Sequence, residues 1–397
     1  VSSAQASLWG LDATVTHLNH GSFGATPRAV LERQAEWRSR MEANPVRFFG
    51  RQLPELLDAA REQLARFVGA DAAGLAFVPN ASTGINAVLR SLSIRHGDEI
   101  VVTDHAYGAA RNAVDFVATR AGAVVVVAPI RMPLAGPEAV TDAVLAAVTP
   151  RTRLAVIDHV TSSTAIVYPI REIVAALEAQ GVPALVDGAH APGMLDLDVT
   201  ATGAAYYTGN CHKWLCAPKG AAFLWVRDDV RPGVVPVVAG WGRTQVPQGR
   251  SQYHAEFDWV GTDDPSAYLC VPQALATMGT VFAGGWQELR TRNRTLALAG
   301  RDLLLEVLET TSPAPDEMLG SMAIVPLPAA PRPPNALELD PLQTYLAEEW
   351  SIEVPVTRGP GPDDRWLRVS AQAYNSRDEY ERLATAVGEW TGRRFRG

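Results

Sequence analysis

Lysine is almost absent from this chain. Of its 35 basic residues 33 are arginine, leaving only Lys213 and Lys219, so chemistry that needs an amine nucleophile has two candidates. Nucleotide bias in the source genome explains the other positions, but not why lysine stands at these two. Cysteine is scarce as well. Cys211, Cys216 and Cys270 are too few and too odd in number for a disulfide framework, have no metal-ligand spacing, and fit a reducing cytoplasm. No apolar run approaches the roughly 20 residues of a membrane helix. The longest aliphatic run is Val124 to Ala128, and no basic segment followed by an apolar one opens the chain, so neither a membrane partner nor export is expected. Positive charge is not in excess: a formal charge of −8 and a pI near 5.6 argue against a nucleic-acid partner held through its phosphates. There is no G-x-G-x-x-G after a strand, no G-x-x-x-x-G-K-[ST] and no G-x-S-x-G, which disfavours dinucleotide, nucleoside triphosphate and serine-hydrolase chemistry. His17 and His20 stand three residues apart without a third ligand, so no metal site is expected.

What is present is enough apolar sequence, 47% of 397 residues, for one large core plus a smaller one. From about residue 26 to 227, helical stretches alternate with short aliphatic runs: Leu75–Val78, Glu99–Val102, Val124–Ala128, Leu154–Asp158, Ala184–Asp187, Ala205–Thr208 and Ala221–Val226. Runs without alternation suit strands buried on both faces, and the helices between them predict a mainly parallel sheet of the α/β class. Pro54 opens a helix that Gly69 stops. Residues 228–266 read as a long irregular segment and 313–334 as Pro-rich. The division expected is an N-terminal arm, 1–25, packing with the small domain; a large domain, 26–286; and a small C-terminal α+β domain, 287–397.

Ligands of parallel sheets gather beyond the carboxyl ends of the strands. Polar residues cluster there: Asn80 to Gly84, Asp104-His105, His159, Asp187 to His190, and Asn210 to Lys213. A carboxylate (Asp187) and a lysine (Lys213) at one sheet edge fit pyridoxal phosphate, with the amine forming the Schiff base and the carboxylate keeping the pyridine nitrogen protonated. The plain alternative is a salt bridge. Asn80 to Asn86 offers small residues at a helix start for a phosphate, or merely a capped helix. His105 is placed to stack on a cofactor ring, or is a surface histidine; His190 is within reach of the ring hydroxyl, and His212 of the phosphate. Lys219 reads as a turn residue in Pro218-Lys219-Gly220.

The segments Leu18 to Gly24, Asn80 to Asn86, Thr103-Asp104-His105, Asp187 to Gly193, His212 to Leu215 and Leu367 to Ser370, in this order, resemble the isopenicillin N epimerase-like group of the class V aminotransferase family, fold type I pyridoxal-phosphate enzymes. The resemblance implies that Lys213 is the Schiff-base lysine, Asp187 the pyridinium partner and His105 the stacking ring. Ser82 with the Ala81 and Thr83 backbone, His212 and Asn210 would form the phosphate cup. His190 and Ser162 would face the cofactor, and Gly261-Thr262 would be supplied by the neighbouring subunit of a homodimer with a shared active site. Arg368 would grip the substrate α-carboxylate, with Asn19 and His20 beside the substrate; without the resemblance it reads as a surface arginine. The chain departs from relatives at Asn210 and Cys211, where Ser and a small residue are usual, and at Ser162, where many have Asn. Thr357 to Trp366 contains no cysteine, which argues against a persulfide mechanism.

The reaction expected is Cα chemistry on a bulky, cysteine-derived amino acid, by C–S β-elimination or decarboxylation, in a small-metabolite pathway such as antibiotic assembly. The alternatives are epimerisation of the isopenicillin N type, with Tyr107 or His20 as second base, transamination, and a non-catalytic metabolite-binding relative. Epimerisation needs a proton on the face opposite Lys213, whereas elimination needs one base and a leaving group.

Overall fold

The computed structural model describes residues 3–330, 338–361 and 363–392. Seven strands form the main sheet: β1 Leu75–Val78, β2 Glu99–Thr103, β3 Val124–Ala128, β4 Thr152–Asp158, β5 Ala184–Asp187, β6 Tyr206–Asn210 and β7 Ala222–Val226. Their spatial order is β1-β7-β6-β5-β4-β2-β3, and only β7 pairs antiparallel to its neighbours. Successive residues enter opposite cores, as the two-residue period of a strand requires. Leu75, Phe77, Val101, Ala155 and Val186 pack with helices α1 (Arg28–Ala43) and α2 (Leu53–Val68). Ala76, Val78, Ile100, Val156 and Leu185 pack with α3 (Ala81–Ser91) and α4 (Gly108–Ala121). Helices α5 (Pro137–Ala146) and α6 (Ile170–Glu178) join the first core. Each Leu, Val, Ile or Phe side chain buried this way contributes about 1.5–3 kcal/mol. As its sequence requires, α2 carries Pro54 in its first turn and ends on Gly69 in the left-handed conformation.

Three expectations need correction. Val124–Ala128, the most aliphatic run, is an edge strand and not buried on both faces: Val124 is 51% exposed and Val127 39%. The 228–266 segment is not wholly irregular, since Ser251 caps a short helix, α7 (Gln252–Asp258); helix α8 (Val271–Gly279) follows it. The Pro-rich stretch contains a strand, β8 (Met322–Pro326). With β9 (Val356–Arg358) and β10 (Arg365–Ser370) it makes an antiparallel sheet in the order β9-β10-β8, against which α9 (Gly285–Leu308) packs, with α10 (Pro341–Trp350) and α11 (Arg377–Thr391) nearby. Residues 331–334 of that stretch lie outside the described residues. The N-terminal segment joins this second sheet region: Thr16 and His17 pair with Ile352 and Glu353, and the Ser370 N–H donates to Leu18 O. No helix among the described residues is long and apolar enough to cross a membrane.

Candidate active site

The loop after β6 folds back on itself because the Cys211 and His212 amides both donate to Ala221 O, at 2.9 and 3.1 Å. This delivers Lys213 to the carboxyl edge of the sheet. Its Nζ lies 3.0 Å from His190 Nε2, while the Trp214 indole N–H donates to His190 Nδ1 at 3.4 Å. An indole only donates, so the neutral imidazole carries its proton on Nε2 and presents it to the Lys213 lone pair. Protonation states agree with that arrangement. Burial holds His190 neutral, with the Lys213 charge adding to the effect; burial, reinforced by Arg368, pushes the Lys213 amine down to about 7.

Asp187 ends β5, buried, with Oδ1 accepting the Ala189 N–H at 3.0 Å. Burial raises its carboxyl, opposed by that N–H and by Lys213. Asp187 and Lys213 form no ion pair, which removes the salt-bridge alternative; the field between them is felt without contact. Sequence reasoning did not single out Asp158. It ends β4 in register with Asp187, so both side chains project from the same face. Burial and the Asp187 charge push Asp158 well above the carboxylate range, because two buried neighbouring carboxyls do not both ionise.

At the start of α3, Asn80 Oδ1 accepts the Thr83 N–H at 2.9 Å, and Asn210 Oδ1 reaches across β7 to accept the Ala81 N–H at 2.9 Å. Both backbone amides expected for a phosphate, those of Ala81 and Thr83, are therefore already engaged. What remains is the Ser82 hydroxyl and amide at the positive end of α3, the Asn210 amide group, and His212. His212 Nδ1 donates to Ala221 O at 3.0 Å, and burial lowers the ring to about 4. Its Nε2 is free to take a proton in the field of an incoming dianion.

Arg368 is the most telling residue. It stands in β10, the central strand of the small sheet, and is 3% exposed. Its guanidinium donates to Ser162 O at 2.5 Å, Ser22 Oγ at 2.8 Å and Asn19 Oδ1 at 3.3 Å. Its Nε has no partner, and no carboxylate among the described residues pairs with it. A buried cation without a counterion is costly, and burial lowers even this group to about 10. The guanidinium is thus suited to receiving an anion. Ser162 contributes here through its carbonyl; Ser22, missed in the sequence reading, contributes a hydroxyl.

His105 follows β2. Its Nδ1 lies 2.8 Å from Thr164 Oγ1 and its Nε2 3.2 Å from Ile130 O, which locks the ring plane; burial keeps it neutral. His20 does not stand free beside a substrate. Its Nδ1 meets the Tyr374 hydroxyl at 2.9 Å and its Nε2 meets Lys213 O at 3.1 Å, with burial lowering the ring to about 3. Both nitrogens are occupied, so the expectation of His20 as a second base falls. Gly261 and Thr262 are not brought to Lys213 either. They line a cavity of about 910 Å³ with Phe49, Leu53 and Trp241, and Gly261 shares a smaller one, about 140 Å³, with Thr83.

Residues 22–324 match the model of the class-V aminotransferase family. The chain belongs to this family. Among its relatives, isopenicillin N epimerase of Amycolatopsis lactamdurans is 37% identical over 395 residues, covering 96% of each chain. A probable chloroplastic L-cysteine desulfhydrase of Arabidopsis thaliana is 32% identical over 401 residues, covering 95% of this chain and 83% of the plant protein. Among solved structures, the cysteine desulfurase CsdA of Escherichia coli superimposes with a TM-score of 0.77 at 20% identity, covering 98% and 97% of the two chains. The cystine C–S lyase C-DES superimposes with a TM-score of 0.77 at 22% identity, covering 95% and 98%. The fold is accordingly fold type I, and the cofactor of this class V enzyme is pyridoxal 5'-phosphate. The residues fit it: a buried amine whose charge burial disfavours, a carboxyl at the neighbouring strand end, and a helix start with an unengaged hydroxyl.

Proposed function

We propose that this enzyme removes the Cα proton of a cysteine-derived amino acid and expels its β-sulfur, releasing a thiol, pyruvate and ammonia after hydrolysis. The observation that carries this reading is the scarcity of free bases. His20 and His105 have both ring nitrogens bonded and His212 lies on the phosphate side, so Lys213 Nζ is the buried base at the sheet edge best placed to move a Cα proton. One base suffices for elimination. Pyridoxal phosphate, when bound, supplies an electron sink that weakens the bonds at Cα. Lys213 would hold it covalently, Asp187 would protonate its ring nitrogen, and Ser82, His212 and Asn210 would hold its phosphate. His105 would stack on the ring, His190 would face the ring hydroxyl, and Arg368 would take the substrate carboxylate.

Incubation with L-cysteine, L-cystine and S-conjugates in deuterium oxide tests the outcome. Pyruvate and thiol are expected; recovered amino acid with inverted, deuterated Cα and no pyruvate would show epimerisation instead. One observation favours that second reading. Tyr107, 45% exposed on the loop after β2, has its phenol in the field of Arg368, where a second acid would stand.

The lowered Lys213 pKa makes a separate prediction. Only the neutral amine attacks the cofactor aldehyde, so the rate at which apoprotein captures pyridoxal phosphate should rise with pH to about 7 and then level. A stopped-flow profile still climbing at pH 9 would contradict the buried amine. For Asp187→Ala we expect cofactor affinity and turnover to fall by orders of magnitude, measured by dialysis and steady-state rates; a variant that keeps both would make Asp187 structural.

The working unit we infer is a homodimer, with Gly261 and Thr262 near the partner's phosphate. Its support is the apolar exposure of Trp241 and Val260 at the large cavity and of Val237 and Val238 at the smaller one beside it, Trp241 being 74% exposed. Trp241→Glu should give a monomer that loses cofactor on gel filtration; a fully active monomer by light scattering would refute the shared site. The unpaired, buried thiols of Cys211, Cys216 and Cys270 support a reducing compartment.

A further inference from the structure

The turn that begins at Asn19 touches both ends of the reacting geometry. On one side, Asn19 Oδ1 and Ser22 Oγ accept from Arg368. On the other, His20 Nε2 lies 3.1 Å from Lys213 O. Two glycines permit this double approach. A Cβ at Gly24, where φ is +70°, would sit 2.1 Å from His212 O and 3.0 Å from Lys213 Cα; one at Gly21 would sit 2.3 Å from Met322 Sδ and 3.1 Å from Ser370 Oγ. The turn is therefore wedged between the lysine loop and the two strands, β8 and β10, that present Arg368.

Within the wedge His20 is fully buried. A carbonyl cannot donate, so the bond to Lys213 O places the imidazole proton on Nε2, and Nδ1 accepts from the Tyr374 hydroxyl. Gln372 approaches the same Nε2 at 3.2 Å, but its amide donates to Cys216 Sγ at 3.6 Å. Its Oε1 is held by the Asn293 side chain and the Ala373 N–H. The partners of His20 thus come from the lysine loop and from the segment following β10.

We propose that this turn is a spacer between the substrate-carboxylate anchor and the proton-moving amine, and that His20 is a positioning residue that fixes Lys213 through its backbone carbonyl. The proposal rests on the roles read above for Lys213 and Arg368. Its consequence is a split between binding and rate. Arg368 keeps its own contacts when His20 changes, so carboxylate binding persists, whereas an amine displaced by about 1 Å loses on the order of 100-fold in proton transfer.

The test uses holoenzyme and two probes. 2-Aminoisobutyrate has no Cα hydrogen, so its effect on the visible spectrum reports binding alone; L-alanine has no leaving group, so deuterium wash-in at Cα reports proton transfer alone. For His20→Leu we expect wash-in to fall about 100-fold while 2-aminoisobutyrate affinity stays within about threefold. His20→Gln, whose amide can still donate to Lys213 O, should recover most of the rate, and Tyr374→Phe should fall about tenfold with affinity unchanged. Unchanged wash-in for His20→Leu, or equal losses for the leucine and glutamine variants, would overturn the spacer. If His20→Leu does not fold, Tyr374→Phe decides: wild-type wash-in refutes the proposal, and reduced wash-in with unchanged affinity supports it. Wild-type enzyme that responds to neither probe would overturn the reading of the site itself, and the spacer with it.

Discussion

Lys213→Ala should abolish turnover, by more than about 10⁴-fold, since on the proposed reading it removes both the covalent anchor of the cofactor and the base at Cα. The chain has one other lysine, and it is engaged elsewhere. Lys219 Nζ donates to Gly24 O at 3.0 Å and approaches Thr26 Oγ1 at 3.5 Å, tying a turn to the N-terminal segment. Borohydride reduction of wild-type enzyme followed by peptide mapping should therefore label Lys213 and leave Lys219 unmodified. The Lys213→Ala protein should fold, because burial of an amine is replaced by burial of a methyl group, and should release its cofactor on gel filtration. A label on Lys219, or residual turnover within tenfold of wild type, would assign the chemistry elsewhere.

The second large effect is expected at Arg368. Arg368→Lys should keep the bound cofactor but raise KM about 100-fold and lower kcat about 10-fold or more. Ser162 O, Ser22 Oγ and Asn19 Oδ1 are arranged around a planar fork and accept from two of its nitrogens. A lysine ammonium reaches one of these positions and offers no second parallel bond to a carboxylate. The orientation of the substrate about its Cα decides which bond is broken, so loss of the fork affects rate as well as affinity. Steady-state kinetics with the best substrate found in the product assay provide the check. Wild-type constants would mean that the buried, uncompensated charge of Arg368 serves some other anion.

How much of this was legible beforehand differs from residue to residue. The aliphatic runs located all seven main strands within two residues at each end, because a central sheet has few ways to spend short apolar runs. Lysine scarcity reduced the nucleophile search to two positions, and turn chemistry around Pro218 and Gly220 separated them. By contrast, Val124–Ala128 reads as the most buried strand and is the most exposed one, since composition does not say which strand lies at an edge. The strand Met322–Pro326 was hidden among prolines, as its partner β10 lies some 40 residues on.

The sequence by itself determined the α/β class and the lysine and carboxylate at strand ends, because these depend on local patterns and residue identity. Only the tertiary structure decided that Asn210 takes the Ala81 amide, that Asp158 faces Asp187, that His20 bonds the Lys213 carbonyl and that Arg368 is buried without a counterion. Each of these joins residues from 29 to about 350 positions apart. Their hydrogen bonds and charges acquire meaning only when folding removes water and leaves each polar group with the few partners the packing provides.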